Sequence, residues 1–245
     1  MTDTGATVTG APTSAPSFWE DLIDIFISPV AVYRRRQYKS AWPPMLFVAI
    51  AIGVITYFTF NAMMPLIDGD IQRAMTQQMA KNPQLTQEMV DRMRSSSENI
   101  GRYTIGPIIL ISMTVLGLVG WLVGKLLGSK QTVSGAMVMA GWAYMPRVLG
   151  AVIGAVQALV LDVNSLTTVQ ALSLSPARFL DPDKASPLLY QMMTRLDLMT
   201  IWVTILLGIG MYVTGRLSKE RAAVFGVSMW ILGSLWPLRT ALMSK

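Results

Sequence analysis

The sequence contains no cysteine and no histidine. Their absence excludes disulfides, thiolate or imidazole metal ligands, and every nucleophile–base arrangement built on either residue. Charge is scarce too: 14% of the 245 residues are Asp, Glu, Lys or Arg, where soluble domains carry about a quarter. No glycine-rich loop leads to a lysine at Walker spacing, and no acidic pair sits inside an apolar run for general acid–base work. No apolar core follows a basic start, so no cleavable signal peptide is expected. The chain reads as not an enzyme, with no cofactor, no metal and no catalytic residue.

What is abundant is apolar surface. Hydrophobic residues make up 52% of the chain and mean hydropathy is +0.46. Several apolar runs exceed the length of about 18 residues that marks a membrane span. The expected fold class is an all-α integral membrane protein: a five-transmembrane-helix bundle with an N-terminal interfacial amphipathic helix and a helical extracytoplasmic loop. The spans are placed at residues 44–67, 103–127, 135–161, 198–215 and 222–242. Span 3 is interrupted by Pro146, and span 4 is only just long enough. The predicted organisation is a disordered tail over 1–16, an amphipathic segment over 17–40 and the five-span domain over 41–245.

Net charge is +6, which in a soluble protein would raise nucleic acid as a partner. Here the excess sits in short flanks of the apolar runs. Arg34, Arg35, Arg36 and Lys39 precede span 1; Lys125 and Lys130 lie between spans 2 and 3; Arg216, Lys219 and Arg221 lie between spans 4 and 5. All three flanks fall on one side of a five-span chain. The positive-inside rule puts that side, and the N-terminus, in the cytoplasm, with the C-terminus outside. The expected location is the bacterial cytoplasmic (inner) membrane, with no nucleic-acid partner.

Ser17 and Glu20 have capping-box spacing, and Ser28-Pro29 looks like a second helix start. Phe18, Leu22, Ile25 and Phe26 recur at helical spacing. Two short helices are expected, with Phe18, Trp19 and Phe26 at the lipid interface and Arg34, Arg35 and Arg36 meeting anionic headgroups at about 1 kcal/mol each. A packing strap across the bundle is the alternative. In the 68–102 connection, Ile71, Met75 and Met79, then Leu85, Met89 and Met93, form two stripes broken at Asn82-Pro83, which suggests a helical hairpin on the bundle or the membrane surface. Thioethers select soft metals, but with no histidine nearby these methionines read as apolar filler. In the 162–197 connection, Ser175-Pro176 and Ser186-Pro187 look like helix starts, with Leu188, Leu189, Met192 and Met193 facing inward.

Gly120, Gly124 and Gly128 lie four apart, as do Gly150 and Gly154. Small residues at this spacing let helices approach closely in lipid, within one bundle or across a homo-oligomer interface. Arg147 is the one charge well inside a span. An intramembrane ionisable group is a functional candidate, set against a long stem that snorkels toward the cytoplasm. Asp197, at the outer end of span 4, is expected to lie too far off in depth to pair with it.

Gly141-Trp142-Ala143-Tyr144-Met145-Pro146 resembles the Gly-aromatic-x-x-x-Pro element of the Yip1 domain family. Leu196-Asp197-Leu198-Met199-Thr200-Ile201-Trp202 resembles that family's entry to its fourth span, and Phe26-Ile27-Ser28-Pro29 before Tyr33-Arg34 resembles the pre-span segment of its bacterial branch. Ala41-Trp42-Pro43-Pro44 stands where eukaryotic members carry Asp-Leu-x-Gly-Pro, so the likeness is to the bacterial branch. It implies a five-span protein with a cytoplasmic N-terminus and no enzymatic reaction. On this footing the chain is expected to act as a membrane scaffold or interaction protein in membrane organisation, with lipid, itself or other membrane proteins as partners. The alternative is a small-solute or lipid transporter or channel using Arg147 and the Pro146 kink, with Trp142 and Tyr144 lining a cavity. The purified chain is expected to stay monodisperse only in detergent or lipid; a monodisperse peak on size exclusion in plain buffer would refute the membrane assignment.

Overall fold

The computed structural model describes residues 16–81 and 87–242. The expected N-terminal tail up to residue 15 and the Asn82-Pro83 break with Leu85 fall outside them, as does the side chain of Met93. Among the described residues the fold is all-α, with no strand. It comprises α1 (Phe18–Ile27), α2 (Pro29–Arg36), α3 (Trp42–Lys81), α4 (Gln87–Leu126), α5 (Val133–Ala143), α6 (Met145–Val160), α7 (Pro187–Arg195), α8 (Leu198–Thr214) and α9 (Lys219–Leu242), with three short 3-10 turns between α6 and α7.

Among the described residues four rods are long and apolar enough to cross a membrane: α3, α4, α5 with α6, and α9. α8 has 17 residues and makes a fifth when joined to α7, from which it is bent by 54°. α5 stops at Ala143 and a new helix starts at Met145, with Pro146 in its first turn, where a missing N–H costs nothing. α3 and α4 each run 40 residues, about 60 Å at 1.5 Å per residue and twice the hydrocarbon thickness. The helical hairpin expected over 68–102 is therefore a prolongation of both spans.

The N-terminal pair settles between its two readings. The Ser17–Glu20 capping box forms, and Pro29 opens α2. Contacts then step along residues 26–38 and residues 202–216 in the same order. Phe26 meets Trp202 with ring centroids 5.3 Å apart, the Tyr33 ring sits against Gly210, and Arg216 donates to the Tyr38 hydroxyl at 3.4 Å. α2 thus runs beside α8 as a packing strap, with Ile25, Val32 and Tyr33 fully buried. Phe18 packs on Phe47 and Trp142. The amphipathic character is real, because Trp19, Ile23 and Ile27, four apart, are all more than 60% exposed and form an outward apolar stripe.

Two of the three arginines differ from expectation. Arg35 bonds Asp21 and, at 2.6 Å, Asp24; Arg36 bonds Asp21. Asp21 is fully buried, and a carboxylate without water needs charged donors more than an anionic headgroup does. Arg34 alone of the three is exposed.

The core joins α2, α3, α4, α5, α8 and α9 around Trp142, Met139, Leu206, Met211 and Phe225. Backbones come closest where glycines face each other or a carbonyl. Gly53 lies against Gly106 between α3 and α4, and a Cβ on Gly208 or on Gly226 would stand 3.1 Å from a carbonyl oxygen of the facing helix, Ala222 or Thr204. The glycine ladder behaves differently. Gly120 receives Met139 and Phe225, Gly124 receives Met211, and Gly150 receives Met199. These notches admit methionine side chains of the same chain, whose unbranched thioethers adapt to irregular gaps. Gly154 faces the Leu172 carbonyl, and Gly128 lies beyond α4 at φ +87° in the turn that ends it.

The three basic connections share one end of the bundle. Arg216 reaches Tyr38, the Lys130 amide donates to the Gly215 carbonyl at 3.2 Å, and Arg221 reaches the Leu127 carbonyl. At the opposite end Asp70 of α3 accepts from the Thr168 hydroxyl and the Val169 amide at 3.2 and 3.1 Å and pairs with Arg73, holding the 162–197 connection down. Leu66, Ala158, Val163 and Leu172 close a small second core beneath it. Pro176 and Pro187 both start helical turns, as expected. Leu189 and Met192 face outward, whereas Leu188 and Met193 are half-buried, because α7 turns its polar face to the bundle. Asp21→Ala is expected to cost about 1.5–3 kcal/mol, the range for hydrogen bonds to charged groups; half-exposed Asp24→Ala should cost under about 1 kcal/mol. Thermal unfolding in detergent compares the two, and equal midpoints would contradict the buried role of Asp21.

Candidate functional site

Asp197 ends the turn after α7 and caps α8. Its Oδ2 accepts from the Thr200 amide at 2.8 Å and from the Thr200 hydroxyl at 3.0 Å. Such a cap satisfies helix-end donors that have no intrahelical partner. Arg147, in the first turn of α6, places Nη1 3.7 Å from the same Oδ2 and donates from Nη2 to Thr200 Oγ1 at 2.8 Å. The expected separation of Arg147 and Asp197 is therefore corrected. α5 starts at Val133, so Arg147 lies 14 residues along the broken rod, about 21 Å at helical rise. The guanidinium so placed turns to Asp197 and Thr200. The 162–197 connection folds inward and starts α8 at the level of Arg147.

A second guanidinium stands nearby. Arg195, the last residue of α7, donates from Nε to Ser234 Oγ at 2.9 Å and from Nη2 to the Trp230 carbonyl at 3.3 Å. It lies over the Trp230 ring, 5.8 Å from the centroid, and the Trp230 indole donates back to the Arg195 carbonyl at 3.2 Å. α7 is thereby locked to α9 with its Arg195 side chain turned inward.

Together these groups wall a cavity of about 430 Å³. α3 contributes Thr56 and Thr59, α6 contributes Arg147, the connection contributes Gln170 and Ser173, and α7 contributes Gln191, Thr194 and Arg195; Asp197 and Thr200 close it. A smaller cavity of about 160 Å³ lies on another side of Arg147. The volume falls in the range of small-molecule sites, about 300–1,000 Å³. The ionisable lining is two arginines and one aspartate, and that aspartate is 9% exposed and engaged by Thr200 and Arg147. The arrangement offers positive charge and hydrogen-bond donors. It presents no nucleophile beside a free base, as acyl or phosphoryl chemistry would need.

The model of the Yip1 domain matches residues 23–238. The chain belongs to the Yip1 domain family. "Membrane protein YknW" of Bacillus subtilis (strain 168) is similar, 24% identical over 224 residues that cover 90% of this chain and 88% of that protein. No solved structure matches.

The motif residues of this Yip1-domain protein divide into two groups. Arg147 and Asp197 meet at the cavity. Gly141, Trp142, Tyr144, Pro146 and Trp202 do not line it, which corrects the expectation for Trp142 and Tyr144. Gly141 admits Pro44 and Met45 of α3, Trp142 is fully buried in the core, and Tyr144 is the hinge residue between α5 and α6. Pro146 is buried at the start of α6, and Trp202 packs on Phe26. Arg195, Thr200, Gln170 and Gln191 escaped the sequence reading. A signal existed: Gln191, Thr194 and Arg195 share one face of a helix by their three- and four-residue spacing. The apolar Leu188, Leu189, Met192 and Met193 dominate the pattern of the segment and mask that face.

Asp197→Asn keeps a capping side chain but removes the charge opposite Arg147, whereas Asp197→Ala removes both. Stability in detergent should fall in the order wild type, Asn, Ala, the last step costing about 1 kcal/mol. An Asn variant as stable as wild type would show that the carboxylate charge does not hold Arg147.

Proposed function

We propose that this Yip1-domain protein is a non-enzymatic protein of the cytoplasmic membrane that works by binding a polar ligand in the cavity beneath its 162–197 connection. The observation that carries this reading is the polar cavity reaching Arg147 at the end of the bundle away from the basic connections. A pure scaffold needs no such space, and a dry interior would close it. Gly120, Gly124 and Gly150 are filled by methionines and an aromatic of the same chain, which weakens the argument for a homo-oligomer built on these three glycines. The scaffold reading rests instead on the prolonged ends of α3 and α4, which offer another membrane protein a surface beyond the lipid. The basic connections, gathered at one end, are assigned to the cytosol by the positive-inside rule, which places the cavity toward the outer face.

A chain without cysteine allows a direct test. Single changes Asn164→Cys, Thr194→Cys and Lys130→Cys place thiols on the outer connection, in the cavity and at the basic end. In intact cells a membrane-impermeant thiol reagent should label the first two, and Lys130→Cys only after permeabilisation. Protection of Thr194→Cys in both conditions would end the open-cavity reading, and labelling of Lys130→Cys from outside would invert the orientation.

A further inference from the structure

We propose that the ligand of this cavity carries an anionic phosphate group, held between the guanidiniums of Arg147 and Arg195. The inference rests on the binding reading above and adds the chemical class of what is bound.

The argument begins with charge. Two guanidiniums and one carboxylate face the cavity, and the carboxylate is largely buried behind its bonds to Thr200 and Arg147. The wall therefore carries one positive charge in excess, on side chains held partly out of water in a concave site, where pairing with an opposite charge is worth more than in bulk solvent. Arginine stays protonated there, so the excess cannot be relieved by losing a proton. An anion relieves it. A cation meets two like charges, and a neutral solute leaves the imbalance standing.

Donor geometry narrows the class. Arg195 commits Nε to Ser234 and Nη2 to the Trp230 carbonyl, and Nη1 donates to no group among the described residues. Arg147 commits Nη2 to Thr200 and holds Asp197 only loosely at 3.7 Å, leaving Nε free among the described residues. Both guanidiniums are thus fixed by protein on one side and offer N–H groups on the other. Phosphate presents several acceptor oxygens to such forks and is matched better by arginine pairs than a single carboxylate is. Gln191 and Thr194 add neutral polar groups on the same wall, and the volume leaves room for a small group esterified to the phosphate.

The phosphate could belong to a lipid headgroup or to a soluble phosphate ester, and the experiment separates them. The full-length protein in detergent is titrated with inorganic phosphate and with glycerol 3-phosphate, and binding is read from tryptophan fluorescence, since Trp230 contacts Arg195. In parallel, nanodiscs of phosphatidylglycerol are compared with nanodiscs of an uncharged glycolipid, reading the thermal midpoint. Binding of the free esters, or a higher midpoint in phosphatidylglycerol, is expected, weakened about tenfold or more in Arg195→Gln, as loss of a charged hydrogen bond predicts. Arg195→Lys, which keeps charge but loses the fork, should retain part of the effect and guards against misfolding of the Gln variant. Response to the soluble esters assigns a soluble ligand, and response to phosphatidylglycerol alone assigns a lipid.

No response of the wild-type protein in either arm overturns the proposal, as does a response that Arg147→Gln and Arg195→Gln both leave unchanged. Thr194→Cys labelling then tells the failures apart. A labelled cavity without phosphate binding rejects the ligand class alone, and a protected one rejects the cavity reading with it.

Discussion

Carboxylates that find cationic or N–H partners within the chain tie down the segments between the apolar rods. A charge withdrawn from water needs such partners, so Asp21 and Asp197, both buried, and the half-buried Asp70 each fix the segment that supplies their donors. Asp21 ties α1 to α2 through Arg35 and Arg36. Asp70 binds the outer connection through Thr168 and Val169. Asp197 caps α8 and holds Arg147. Asp21 braces the N-terminal strap from within, and Asp70 and Asp197 join the outer connection and the fourth rod to the bundle.

The apolar packing follows a related economy of form. Lipid provides no hydrophobic drive between helices, so close contact depends on shape. Direct backbone contact occurs at the Gly53–Gly106 and Gly208–Ala222 crossings, while the notches at Gly120, Gly124, Gly150 and Gly210 are filled chiefly by methionines. The 18 methionines of the chain are thus in good part the counterpart of its glycines. Packing closes the interior around Trp142 and Met139. It leaves open the end where α7 turns Gln191, Thr194 and Arg195 inward, and this contrast between a closed core and an open polar end gives the fold its candidate site.

Much of the helical architecture was legible in sequence. The capping box at Ser17, the proline starts at Pro29 and Pro187, the interruption at Pro146 and the apolar rods all depend on neighbours within a few residues, and each formed as expected. The site was half legible. Arg147 stood out because a charge inside a long apolar run is conspicuous. Arg195 did not, because it sits in a connection of mixed polarity where an arginine looks ordinary. Arg35 and Arg36 looked like headgroup ligands because sequence shows charges one after another, not which of them face an acid fifteen residues away.

The sequence by itself determined the solvent and the rods: too little charge for water, apolar runs of membrane length, and basic flanks gathered on alternate turns, all of them local sums over composition and spacing. Tertiary structure decided depth and pairing. Where Asp197 lies relative to Arg147 depends on the break at Tyr144 and on how far the 162–197 connection folds inward, and neither is set by the residues of one segment alone. Whether a polar face becomes a cavity wall or a solvated surface is fixed only when the facing helices are in place, because burial is a property of the assembled bundle and not of any single helix.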